Sequence, residues 1–131
     1  MSGPPIAVVR VRGTELCEAV LVRVLGAVAA LADLPVDRLS DAQIMAGAIA
    51  DRAPGLSADG GVTVRFWYSP AVIRLALGPL QPGGAARLIE ETALPGVGPV
   101  LERMADEVHM KQGDDGDLLA MVIGRSAEVT A

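Results

Sequence analysis

From Val24 to Ala32 the chain carries no polar side chain at all: "VLGAVAALA". The run sits inside "ELCEAVLVRVLGAVAALAD" (15–33), where Thr14 offers an N-cap and acids occupy the first turn, so the segment reads as a helix. A helix on the surface of a globular domain needs one apolar stripe, and past Arg23 this one is apolar almost all round. Whatever fold accepts it must bury it on more than one side. A central core helix and a subunit interface both meet that demand. A membrane span does not fit, because crossing a bilayer takes about 20 apolar residues.

The chain of 131 residues has room for one domain built on one core, spanning 1–131 with short flexible ends. Hydrophobic residues make up 51% of it, yet the only aromatics are the consecutive Phe66, Trp67 and Tyr68. The core must therefore be assembled from Ala, Val, Leu and Ile. With a mean hydropathy of +0.43, part of the surface is expected to be hidden in a partner.

Charge narrows the function classes. The net charge is −5, and one lysine, Lys111, accompanies ten arginines. That balance argues against nucleic acid and against an anionic membrane, since both select a basic face. The lone cysteine, Cys17, excludes an internal disulfide and a cysteine-based zinc site, which suits a reducing cytoplasm. "MSGPP" has no basic region of the kind that opens a signal peptide, so a cytoplasmic location is expected.

Local patterns give an order of elements. "PIAVVRVRG" (5–13) is a β-branched strand, followed by the apolar helix. "LPVDRLSDAQIMAGAIADRAPG" (34–55) is a second helix, starting at Pro35 or Ser40 and stopped by Pro54-Gly55. "VTVRFWYSP" (62–70) and "AVIRLALG" (71–78) are strands forming a hairpin across Ser69-Pro70. "PLQPGG" is a loop and "AARLIEETA" a helix of about two turns. Next come "LPGVG" as a glycine loop, a helix from Pro99 to about Ala105, and "EVHMKQ" as a strand. "GDDGD" is a tight turn and "LLAMVIG" a last strand. The order β-α-α-β-β-α-α-β-β predicts an α/β fold: a two-layer sandwich with a mostly antiparallel sheet and helices on one face.

Few residues offer chemistry. Gly96-Val97-Gly98-Pro99 before a helix is a weak phosphate-loop signal; the plain alternative is a turn with Pro99 as the first helical residue. His109 is the only histidine, so a two-histidine metal site is excluded, and it is expected at or near the surface of a strand. Asp114, Asp115 and Asp117 form a solvated turn; the alternative, a hard-cation site, lacks a closing glutamate. In a strand Phe66 and Tyr68 point opposite to Trp67, so one side packs on helices and the other exposes ring surface to solvent or a partner.

Three segments together resemble the anti-sigma factor and serine-protein kinase branch of the GHKL (histidine-kinase-type) ATPases. They are the helix "LPVDRLSDAQIMAGAIADRAP", the strand pair 62–78, and "GVGPVLERMADEVHM", which is similar to that family's second glycine box. The resemblance implies a histidine-kinase-like ATPase fold. It also implies ATP with magnesium as cofactor, a helix glutamate as general base, and an asparagine four residues later as magnesium ligand. Aligned from Asp41, those positions are Ala48 and Arg52. An aspartate should bind the adenine in the region that here reads "LALGPLQPGG".

The chain contains no asparagine, no glutamate between Pro35 and Pro54, and no aspartate between Gly60 and Ala105. Each loss removes a different function: the metal ligand, the base and the adenine acceptor. Gly96, Gly98 and Arg52 are left as vestigial nucleotide-loop positions, and no catalytic residue or metal ligand is assigned. The expected function is therefore a non-catalytic, anti-sigma-factor-like regulatory module with no cofactor. Its implied partners are a sigma factor or a STAS-type anti-anti-sigma protein, and dimerisation is common in the family. One alternative is a divergent serine-protein kinase that holds ATP through backbone glycines and Arg52. The other is a small structural α/β homodimer unrelated to the family.

Overall fold

The computed structural model describes residues 3–12, 18–96 and 98–124. Strand β1 is Ala7–Arg12, followed by helices α1 (Glu18–Ala32) and α2 (Val36–Arg52). Strands β2 (Gly61–Ser69) and β3 (Val72–Leu80) come next, then α3 (Gly84–Glu91). Two very short strands, β4 (Ala93–Leu94) and β5 (Gly98–Pro99), precede α4 (Val100–Met104), and β6 (Glu107–Gly113) and β7 (Gly116–Gly124) close the described chain. Apart from β4 and β5, the strands form one five-stranded antiparallel sheet in the order β1-β2-β3-β7-β6. The fold is mixed α/β, compatible with the expected sandwich.

Alternation along the strands decides the layering. Val62, Val64 and Phe66 on β2, Ile73, Leu75 and Leu77 on β3, and Leu119, Met121 and Ile123 on β7 all lie on one face and are buried. They share a single hydrophobic cluster with Leu21, Leu25 and Val28 of α1 and Met45, Ala46 and Ile49 of α2. Small helix residues, Ala29, Ala42 and Ala46, are buried in the same cluster. The hollow left between Leu25, Met45, Phe66 and their neighbours is about 10 Å³, at most the space of one water.

The apolar helix is thus a core helix, but not completely. α1 buries Leu21, Leu25, Val28, Ala29 and Ala32, while Val20 and Leu31 stay about half exposed on its outer side. Thr14, its expected N-cap, lies outside the described residues, as does Cys17. At its end Asp33 adopts a left-handed conformation (φ 56°), and Leu34 N–H reaches back to Ala29 O at 3.0 Å, closing the helix.

Several boundaries differ from the sequence reading. Pro35, not Ser40, precedes the first turn of α2. Pro79 and Leu80 continue β3 instead of starting a loop. The two-residue turn between β6 and β7 is Asp114–Asp115, with Gly113 paired to Gly116. Gly116 is therefore a strand residue: at φ 137°, a Cβ there would strike Leu80 O and crowd Ala58 and Pro79 at 3.2 Å. Close approach of two chain segments, not turn geometry, requires the glycine.

Candidate functional site

The glycine loop closes on itself. Ala93 pairs with Pro99 and Leu94 with Gly98, so β4 and β5 make a miniature hairpin. Gly96 (φ 77°) and Gly98 (φ 86°) supply the positive φ that this turn needs, and a Cβ on either would meet nothing within 4 Å. The glycines serve backbone direction and leave no closely fitted cradle around them. α4, which follows, has five residues and starts at Val100, one residue later than expected, with Pro99 as its N-cap instead of its first helical residue.

Arg52 is the last residue of α2, 52% exposed, with its Nε 3.2 Å from the Asp51 carboxylate. No side-chain hydrogen bond among the described residues joins it to the glycine loop. Ala48 is half-buried on the same helix. The helix does carry acids, but Asp41 is engaged by Arg38 at 2.7 Å. This donor set does not fit a magnesium-bound nucleotide: no carboxamide or free carboxylate stands at Ala48 or Arg52 to receive the ion.

The acidic turn separates in the same way. Asp114 and Asp115 are exposed at the hairpin tip, whereas Asp117 turns inward, is 9% exposed, and accepts Gly83 N–H at 3.0 Å. Gly83, itself at φ 79°, is the N-cap of α3, so Asp117 holds the start of that helix. Among the described residues no group of three potential metal ligands comes together.

The larger feature is the other face of the sheet. Strand register places Val8, Arg65, Ala76, Ala120 and His109 in one row across it, with Trp67, Arg74, Val122 and Glu107 in the next. Arg10 and Arg12 continue along β1, and Lys111 along β6. Five of the eleven basic residues of the chain thus stand on this face, against one of its sixteen acids, Glu107. Glu107 is bonded to His109 at 3.0 Å. Among the described residues none of the five cations makes a salt bridge, and no helix packs on this side.

At one end the face runs into an open groove of about 940 Å³ between Trp67, Tyr68, Arg74 and the Pro4–Pro5 segment. Trp67 Nε1 donates to Gly3 O at 3.0 Å, which lays that segment beside the indole. Net charge alone conceals this asymmetry. The signal that reveals it is the position of the arginines in "VVRVRG", "TVRFW" and "VIRLA", each one step out of phase with the apolar core residues. Compared with known proteins, the chain matches no family model, and no curated protein is significantly similar to it. No described helix is long and apolar enough to cross a membrane.

Proposed function

We propose that the chain is a non-catalytic regulatory module of the histidine-kinase-type fold, which acts as small anti-sigma factors do, by binding another protein. The observation that carries this reading is the state of the nucleotide elements. The glycine loop is paired with itself, and the helix expected to supply base and metal ligand presents Ala48 and an arginine engaged with Asp51. The antiparallel sheet backed by two long helices is compatible with that fold. Its partner is a sigma factor or a STAS-type protein, the classes that the resemblance implies.

Calorimetric titration with Mg-ATP tests the reading. No saturable heat is expected. Binding in the micromolar range, or transfer of the γ-phosphate to a STAS protein, would instead support the divergent kinase.

A homodimer is a second reading, favoured by the outer side of α1, where Val20 and Leu31 are 47% and 56% exposed. Light scattering across a dilution series decides it: a dimer mass that Leu31→Glu abolishes is the expected result for that arrangement.

A further inference from the structure

We propose that the open face of the sheet is the docking surface for an acidic amphipathic helix of a protein partner. The inference rests on the protein-binding reading above and gives that partner its chemistry. Charge complementarity carries the choice. On a chain of net charge −5, this face gathers Arg10, Arg12, Arg65, Arg74 and Lys111, none of them salt-bridged among the described residues. Elsewhere in the sequence six bases stand against fifteen acids, so the concentration of positive charge here is specific to the face.

Shape points to the same occupant. Across the middle of the face run Thr63, Gly78, Ala76 and Ala120, small residues beside Leu118, with Arg10, Arg12 and Arg65 on one side of them, Lys111 on the other and Arg74 at one end. Strands lie about 4.8 Å apart, so β1 and β6 are separated by about 19 Å, room for one helix of about 10 Å diameter with its side chains reaching both ways. Its apolar stripe would rest on Ala76, Ala120 and Val122, and its carboxylates would reach Arg65 on one side and Lys111 on the other. An extended peptide has less to gain here, because the backbone groups in the middle of a sheet are already paired.

Single-stranded nucleic acid is the weaker fit. Such platforms stack successive bases on several aromatic rings, and this face has only Trp67, whose indole N–H is held by Gly3 O.

The test uses the full chain and a fluorescein-labelled peptide of Glu, Ala and Leu, about 20 residues long, with one acidic and one apolar helical face. Anisotropy is expected to saturate in the micromolar range at about 50 mM salt and to weaken at least about tenfold at ~0.5 M. Trp67, the only tryptophan, should change its emission on the same titration. Arg65→Glu and Lys111→Glu, on different strands, should each weaken binding about tenfold, whereas Arg23→Glu on α1 should leave it unchanged. Absence of saturable binding overturns the proposal, as does binding by the two face variants that is as tight as that of the unaltered chain. Tighter binding of a uridine oligonucleotide through Arg65 and Lys111 also overturns it, as does salt-sensitive self-association that both variants abolish. Loss of peptide binding in Arg23→Glu alone would sink this surface and leave the protein-binding reading standing. Saturable Mg-ATP binding would sink that reading without touching the peptide result.

Discussion

The guanidinium of Arg38 and the carboxylate of Asp106, 68 residues apart in the chain, meet at 2.9 Å. Arg38 also donates through Nε to Gly124 O at 2.8 Å, through one terminal nitrogen to Met104 O at 3.0 Å, and through the other to the Asp41 carboxylate at 2.7 Å. Asp106 in turn accepts Gly124 N–H at 2.6 Å. One nearly buried arginine therefore ties the first turn of α2 to the ends of α4 and β7. Asp106→Ala should lower unfolding stability by about 2 kcal/mol, since it deprives a shielded cation and a backbone N–H of their acceptor. Asp106→Asn keeps one acceptor oxygen and should cost about half as much. Urea unfolding midpoints compare the two, and equal, negligible losses would show that the clamp contributes nothing.

Ala71 offers a substitution in the opposite direction. It follows Pro70 in the two-residue turn between β2 and β3 and sits at φ 62°, a region that costs an L-residue roughly 1–2 kcal/mol. Its N–H is spent on Ala32 O at 2.6 Å, which fixes the hairpin to the end of α1. Ala71→Gly keeps that bond and removes the strain. Thermal unfolding should rise by about 3 °C, corresponding to about 1 kcal/mol. A lower midpoint would mean that unfolded-state entropy outweighs the strain.

Two glycines with positive φ should respond very differently to alanine. At Gly116 the new Cβ would collide with Leu80 O, a backbone atom that cannot rotate away. Gly116→Ala should cost about 3 kcal/mol or more and show as a large drop in the urea midpoint. At Gly96 nothing lies within 4 Å of the built Cβ, so only conformational strain is added, about 1 kcal/mol. If Gly96→Ala is as damaging as Gly116→Ala, the glycine loop is packed against something and its reading as a plain turn fails.

These contrasts show which parts of the molecule were legible in the sequence. β-branched runs such as "AVVRVR" and breakers such as Pro54-Gly55 marked the large elements, because local periodicity and backbone restriction act over a few residues. The hairpin of Leu94 with Gly98 was not legible, since two-residue strands carry no period. Gly116 looked like half of an Asp-Gly turn, and only the neighbouring Leu80 carbonyl explains it. The Arg38 clamp joins three segments distant in the chain, which no local pattern records. At the candidate nucleotide loop, Gly96 and Gly98 were visible as residue types, but the pairing that closes the loop was not. The basic face was written in the strand alternation, although net charge averaged it away.

Trp67 provides the most direct test of how the amino-terminal segment sits. Its indole donates to Gly3 O at 3.0 Å, and Pro4 and Pro5 help wall the adjoining groove. Removing residues 1–5 would strip one side of the ring and return its N–H to water. Because the chain has a single tryptophan, its emission reports this site alone and should move to longer wavelength. Stability should fall by less than about 1 kcal/mol, the worth of one partly exposed hydrogen bond. Iodide should then quench the emission more strongly than in the full chain. Unchanged emission and quenching would show that the segment does not shield Trp67, and the groove beside Arg74 would lose one of its walls. A red shift together with tighter binding of the acidic peptide would identify the segment as a competitor for the same end of the sheet.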